Sequence, residues 1–206
     1  MRILLSVLLT GVAFAQSPIV LPKPKMEGGK PLMQALKERQ TIREFDTRKL
    51  EPQVLSNLLW AASGINRPDS GRRTAPTASN RQETDIYVAM AEGLYLYDHK
   101  EHSLKGVLAE DVRGATGSQP FVKEAPVNLI YVGDFARMGT STDENKVFYT
   151  ATDTGFIAQN VYLFCASEGL ATVVRGMVDR VALAKVMKLR PEQRITLAQT
   201  VGYPKK

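Results

Sequence analysis

The chain has 206 residues, is 44% hydrophobic and 23% charged, and carries a formal balance of +6, which suits one good core and is short for two large domains. The charge is spread and never forms a block of five or six like residues, so a small anionic ligand or a mildly basic surface fits better than a nucleic-acid tail. Two histidines and one cysteine leave little material for a metal site or a disulfide.

Residues 1–15 read as a secretory signal. Met1-Arg2 is a minimal basic start, residues 3–14 are apolar, and Ala13-Phe14-Ala15 has the small-x-small form that precedes cleavage. The run is shorter than the roughly 20 residues that span a bilayer, which favours a cleaved signal over an anchor and an exported, periplasmic product beginning at Gln16. Cys165 then stands as a lone thiol best kept buried.

Residues 16–30 hold Pro18, Pro22, Pro24 and Gly28-Gly29 and read as an extended arm; residues 31–206 read as a single domain. Pro31 opens a first helix that ends near Arg39, and Arg39-Gln40-Thr41-Ile42-Arg43 places two guanidinium forks four residues apart. Such a pair suits a phosphate, although the same spacing is common on solvated helix faces. A second helix starts at Pro52 and stops at Gly64, and residues 65–82 form a long polar loop without apolar period.

Residues 84–90 and 94–97 read as strands, followed by a polar turn with Asp98, His99 and His102. An Asp with two His is metal-ligand chemistry, but the turn reads as solvent-facing and offers no fourth ligand. Residues 107–113 suggest a short helix, residues 114–119 a loop, and residues 127–132 a buried strand. The longest helix covers residues 144–168, with Val147, Ala151, Ala158, Tyr162 and Cys165 on one stripe that Asp153, Thr154 and Gly155 interrupt. Gly155 there suggests a closely packed neighbour. A short strand to Arg175-Gly176, a helix over residues 179–189 and a last strand over residues 195–201 complete the chain.

The inventory lacks a nucleophile elbow, a triad, a phosphate loop of the GxxxxGK[ST] kind and a GxGxxG after a strand. Anion-binding arginines, a long polar loop and no side-chain nucleophile fit an enzyme whose chemistry resides in a bound cofactor.

Six segments in order carry a resemblance: residues 39–43, residues 73–80 (RTAPTASN), residues 92–98 (EGLYLYD), Asp153-x-Gly155 with Gln159-Asn160, Gly169-Leu170, and Gly202-Tyr203-Pro204. Together the chain resembles the FMN-dependent nitroreductase superfamily, and within it the thiazoline/oxazoline oxidase-type branch of peptide biosynthesis. The resemblance implies an α+β fold with a central, mainly antiparallel sheet flanked by helices, in an intertwined homodimer with FMN at the interface. It implies that Arg39, Gln40, Thr41 and Arg43 hold the phosphate and ribityl chain, with Lys205 as a second phosphate-binding cation. Pro76, Thr77, Ala78 and Asn80 match the loop that reaches the flavin from the partner subunit. Gln119 matches a contact to the ring edge, and Val174, Arg175 and Gly176 the segment beside the reactive flavin nitrogen.

The expected activity is therefore movement of hydride or electron pairs through flavin, from a donor such as NAD(P)H to a small quinone or nitroaromatic. A non-enzymatic electron carrier of the cell envelope and a peptide azoline dehydrogenase are the alternatives. Two departures bear on this: Thr77-Ala78 has one hydroxyl fewer than the common pair, and Gln40 stands where many relatives carry a basic residue. An exported chain also meets little nicotinamide cofactor.

Overall fold

The organising element is the strand Val127–Asp134, all eight of whose residues are buried. A strand covered on both faces reads as a continuous apolar run, and Val127, Leu129, Ile130, Tyr131 and Val132 provide one. The computed structural model describes residues 17–206; the signal assigned to residues 1–15 lies outside the described residues.

In chain order the elements are β1 (Ile19–Val20), α1 (Leu32–Glu38), α2 (Pro52–Ser63), β2 (Ile65–Arg67), β3 (Arg72–Arg73), β4 (Thr84–Met90), β5 (Gly93–Asp98) and β6 (Ser103–Leu108). They continue with α3 (Phe121–Glu124), β7 (Val127–Asp134), α4 (Asp143–Glu168), β8 (Ala171–Arg175), α5 (Arg180–Val186) and β9 (Gln193–Gly202). Seven strands form one sheet in the order β1-β6-β5-β4-β7-β9-β8, and each neighbouring pair is antiparallel. The fold is α+β, with a mainly antiparallel sheet and flanking helices.

On one face α2 contributes Leu55, Leu58, Leu59 and Ala62, and α4 contributes Ile157, Ala158, Val161 and Cys165, to the main core. Burial pushes the Cys165 thiol well above its ordinary range, so it stays a neutral packing group. On the other face Leu183, Met187 and Val178 cover Ile130, Val132 and Ala198. Gly169 ends α4 in the left-handed region at φ 69°, a geometry glycine takes without a Cβ penalty.

The structure departs from the sequence reading in several places, the first being that the loop expected over residues 65–82 holds the paired strands β2 and β3. Residues 16–30 do not form a free arm throughout: Ile19 and Val20 pair with Leu104 and Ser103 at the sheet edge, and Leu21 enters the core. The helix expected over residues 107–113 is instead the end of β6 and a 3-10 turn at Arg113–Thr116. Pairing of Leu108 with Leu94 on β5 carries the strand into the start of that stretch and satisfies its backbone there. His99 is buried, with its ring 4.6 Å from that of Tyr97, and burial beside Arg73 lowers its pKa to about 3. His102 is tied to Tyr97 Oη at 2.9 Å and Ser56 Oγ at 2.8 Å. These histidines are packing groups. Finally, the stripe of α4 is rotated in its first half: Thr150, Asp153 and Thr154 are buried, while Val147, Phe148 and Phe156 are exposed by 51%, 60% and 44%. Within the chain Gly155 faces open space rather than a packed neighbour.

Candidate functional site

Past the end of α1 the chain runs extended along the outer edge of β8. The Ile42 N–H donates to the Thr172 carbonyl at 3.0 Å, and Lys205 N–H donates to Glu44 O at 3.2 Å. Phe45 anchors the segment in a small core with Ala125, Ala171 and Val173 and bridges to Pro204. Packing of Phe45 on one side and strand-like pairing on the other thus fixes a five-residue stretch that has no secondary structure of its own.

This arrangement sets the backbone of Arg43 beside that of Lys205, with Arg39 four residues upstream on the same extended segment. Arg39, Arg43 and Lys205 are carried by adjoining backbone, and among the described residues none has a side-chain hydrogen bond or ion pair. Arg39 lies over the Tyr162 ring at 5.3 Å. It lines, with Gln40, Lys30, Lys37 and Thr172, a groove of about 530 Å³ that does not include Arg43. Unpaired arginines on a fixed backbone present donors to a phosphate with little reorganisation.

Tyr162 joins this segment to β8. Its hydroxyl lies 3.0 Å from Thr41 Oγ1 and accepts from the Val174 N–H at 3.0 Å. Thr41 and the Val174 amide are therefore already engaged, and Tyr162, which the sequence placed only on an apolar stripe, holds both. Tyr162→Phe should lower stability by about 1 kcal/mol, because the half-buried Val174 N–H loses its partner. Chemical denaturation would detect the change, and an unshifted midpoint would count against this link.

Beyond Val174 the Arg175 side chain turns inward. Its guanidinium donates to Thr116 O at 2.6 Å, Thr116 Oγ1 at 3.3 Å, Asn128 Oδ1 at 3.0 Å and Thr200 Oγ1 at 3.0 Å. None of these is a carboxylate, and burial lowers the pKa to about 10. What this turn offers a ligand is its backbone at Gly176, which is exposed. Gln119 belongs to the same place: a Cβ added to Gly117 would sit 2.0 Å from Arg175 Nη1 and 3.0 Å from Gln119 Oε1. Among the described residues the buried Gln119 oxygen has no partner, and such an acceptor calls for a donor from a ligand.

The loop Pro76, Thr77, Ala78 and Asn80 is not brought to the arginines within this chain. Ala78 N–H donates to Asp153 Oδ2 at 2.8 Å, and Asp153 lies nine residues before Tyr162 on α4, roughly 14 Å along a helix. Asp153 stands out in the sequence as a break in the apolar stripe and as part of the Asp153-x-Gly155 segment, but neither pattern points to the loop it anchors.

These residues fit FMN at both ends. Arg39, Arg43 and Lys205 would hold the phosphate, and Gln119 with the exposed Gly176 backbone would meet the ring. A family model described as the nitroreductase family matches residues 36–203. A candidate nitroreductase of Methanocaldococcus jannaschii is 30% identical over 169 residues, which is 77% of this chain and 85% of that one. The crystal structure of a candidate nitroreductase from Ralstonia eutropha superimposes with a TM-score of 0.89 at 41% identity, covering 95% of this chain and 93% of that one. The NADPH:FMN oxidoreductase of Vibrio harveyi complexed with NAD+ shares the fold at 17% identity and a TM-score of 0.65, over 85% of this chain and 69% of that one.

Proposed function

The chain belongs to the nitroreductase family of flavin-dependent oxidoreductases, and we propose that it binds FMN and passes electron pairs from a reduced donor to a small organic acceptor of the quinone or nitroaromatic class. The observation that carries this reading is that Arg39, Arg43 and Lys205 lie on adjoining backbone along the β8 edge and have no side-chain hydrogen bond or ion pair among the described residues. Bound FMN supplies the two-electron chemistry. The protein's part is to neutralise the phosphate, to fix the ring beside Gly176 and Gln119, and to leave one face open for substrates in turn.

The proposed assembly is a homodimer, with the loop 76–80 reaching the flavin of the partner. Its support is the exposed apolar side of α4, where Val147, Phe148 and Phe156 lie next to the open space at Gly155. An exposed patch of this kind on a long helix suits a second helix. Export with cleavage after Ala15 is proposed alongside it, on the signal-like pattern of residues 1–15.

One purification tests these points together. The mature protein should be yellow, carry one FMN per chain, run as a dimer and begin at Gln16 by intact mass. Bleaching by NADH or NADPH and rapid recolouring by a quinone or nitroaromatic are the expected results. A protein that takes up no FMN on reconstitution would overturn the reading. Bound flavin that no nicotinamide donor reduces would favour an electron carrier, and turnover on a thiazoline peptide would favour the azoline dehydrogenase branch.

A further inference from the structure

Arg175 ends β8 and is 3% exposed, and it is held in an unusual way for a buried cation. All of its acceptors are neutral oxygens: the Thr116 carbonyl, the Thr116 and Thr200 hydroxyls and the Asn128 side-chain carbonyl. Each of the three side chains spends its own hydrogen elsewhere. Thr116 Oγ1 donates to Arg113 O at 2.8 Å, Thr200 Oγ1 to Asn128 Oδ1 at 2.7 Å, and Asn128 Nδ2 to Val122 O at 2.8 Å. Their lone pairs are thereby left for the guanidinium.

This cage is built to keep a charge, not to cancel it. A carboxylate would satisfy the same N–H groups and neutralise the cation as well. Neutral oxygens satisfy the hydrogen bonds and leave the charge in place. Among the described residues no Asp or Glu bonds to Arg175 or pairs with it. Burial lowers its pKa to about 10, which still leaves it protonated at neutral pH. An uncompensated charge away from water acts over a longer reach than one on the surface.

The charge also lies towards the candidate ring site. Arg175 Nη1 and Gln119 Oε1 are 2.0 Å and 3.0 Å from one point, the Cβ position that Gly117 leaves free. Nη1 makes one bond, to Thr116 O, so its second hydrogen has no acceptor among the described residues. Gly176, the next residue in the chain, is exposed. A ligand donor that meets the Gln119 oxygen therefore comes within about 10 Å of the guanidinium.

We propose that Arg175 sets the reduction potential of the bound cofactor, its uncompensated charge behind the Gln119 and Gly176 wall favouring reduced FMN over oxidised FMN. The inference rests on the FMN reading above. Hydride uptake from the nicotinamide donor, which leaves as NAD(P)+, adds one negative charge to bound FMN. The Arg175 side chain exchanges no proton; it supplies a fixed positive charge to offset the added negative one. Thr116, Asn128 and Thr200 hold the guanidinium still, so little reorganisation accompanies the change.

The midpoint potential of the full mature holoprotein, read by equilibration with a redox dye of known potential, tests this. A unit charge within about 10 Å, at an effective dielectric of about 20, changes the ratio of dissociation constants for oxidised and reduced FMN by about tenfold or more. Tenfold is about 30 mV for a two-electron couple. Arg175→Gln, which keeps hydrogen-bonding atoms without the charge, should therefore lower the potential by about 30 mV or more. Arg175→Lys, which keeps the charge but cannot make every bond of the cage, should melt lower yet stay within about 10 mV of the parent. Asn128→Asp, which sets a carboxylate against the guanidinium, should lower the potential in the same direction and serves if Arg175→Gln does not fold. A purely structural arginine gives another pattern, in which the variants melt lower and no potential moves. That result overturns the inference and leaves the FMN reading intact. A colourless protein that takes up no FMN overturns both.

Discussion

Arg39→Ala with Arg43→Ala should weaken FMN binding by about two to four orders of magnitude while leaving the fold nearly as stable. Each hydrogen bond to a charged group contributes about 1.5–3 kcal/mol, and two of them correspond to roughly 100- to 10,000-fold in dissociation constant. Against this, the folded chain loses little. Arg43 is exposed and without side-chain partners among the described residues. Arg39 gives up its place over the Tyr162 ring at 5.3 Å, a contact of about 0.5–1 kcal/mol. Melting should fall by no more than about 4 °C. Flavin fluorescence titration beside a thermal melt separates the two effects, and unchanged affinity in the double variant would refute the phosphate assignment. Lys205 alone cannot substitute, since a dianionic phosphate needs about two cations and a lysine offers no fork.

The elements that position this site were legible wherever pattern and punctuation agreed. Pro52 and Gly64 bracket α2, Gly169 ends α4, and the apolar run of β7 is the central strand. The arginine pair was legible because chemistry and family order pointed the same way. What was hidden has one physical cause: polar contacts made between elements far apart in the chain leave no periodic trace. The Tyr162 hydroxyl sits on a residue that patterns as core, and its bonds run to Thr41 and Val174. Asp153 and the Ala78 N–H it accepts are 75 positions apart, and Asp153 looks locally like a break in an apolar pattern. The rotation of α4 was hidden for a related reason. Val147 reads as core because apolar residues are expected inside, but among the described residues nothing covers it or its neighbour Phe148. A helix that buries Thr150 and Asp153 and exposes Phe148 and Phe156 is patterned for two surfaces, of which a single chain supplies one.

Gly117→Ala is expected to be the most damaging single methyl group near the site, lowering stability by about 2–3 kcal/mol, or roughly 5–10 °C in melting temperature. The new Cβ would lie 2.0 Å from Arg175 Nη1 and 3.2 Å from its Cζ. On a free surface an arginine would swing aside at small expense. Here the guanidinium is pinned by bonds to Thr116, Asn128 and Thr200, and it is buried, so retreat breaks several bonds and leaves buried acceptors unpaired. If the backbone yields instead, the turn carrying Thr116 and Gln119 must move, and Gln119 Oε1, only 3.0 Å from the added carbon, moves with it. Either path disturbs the wall that the Val174–Gly176 turn and Gln119 build together, so FMN affinity should fall along with the melting temperature. A variant that melts within 1 °C of the parent, by the scale of about 2–4 °C per kcal/mol, would show that the Arg175 cage is soft. The glycine at 117 would then have no bearing on the site.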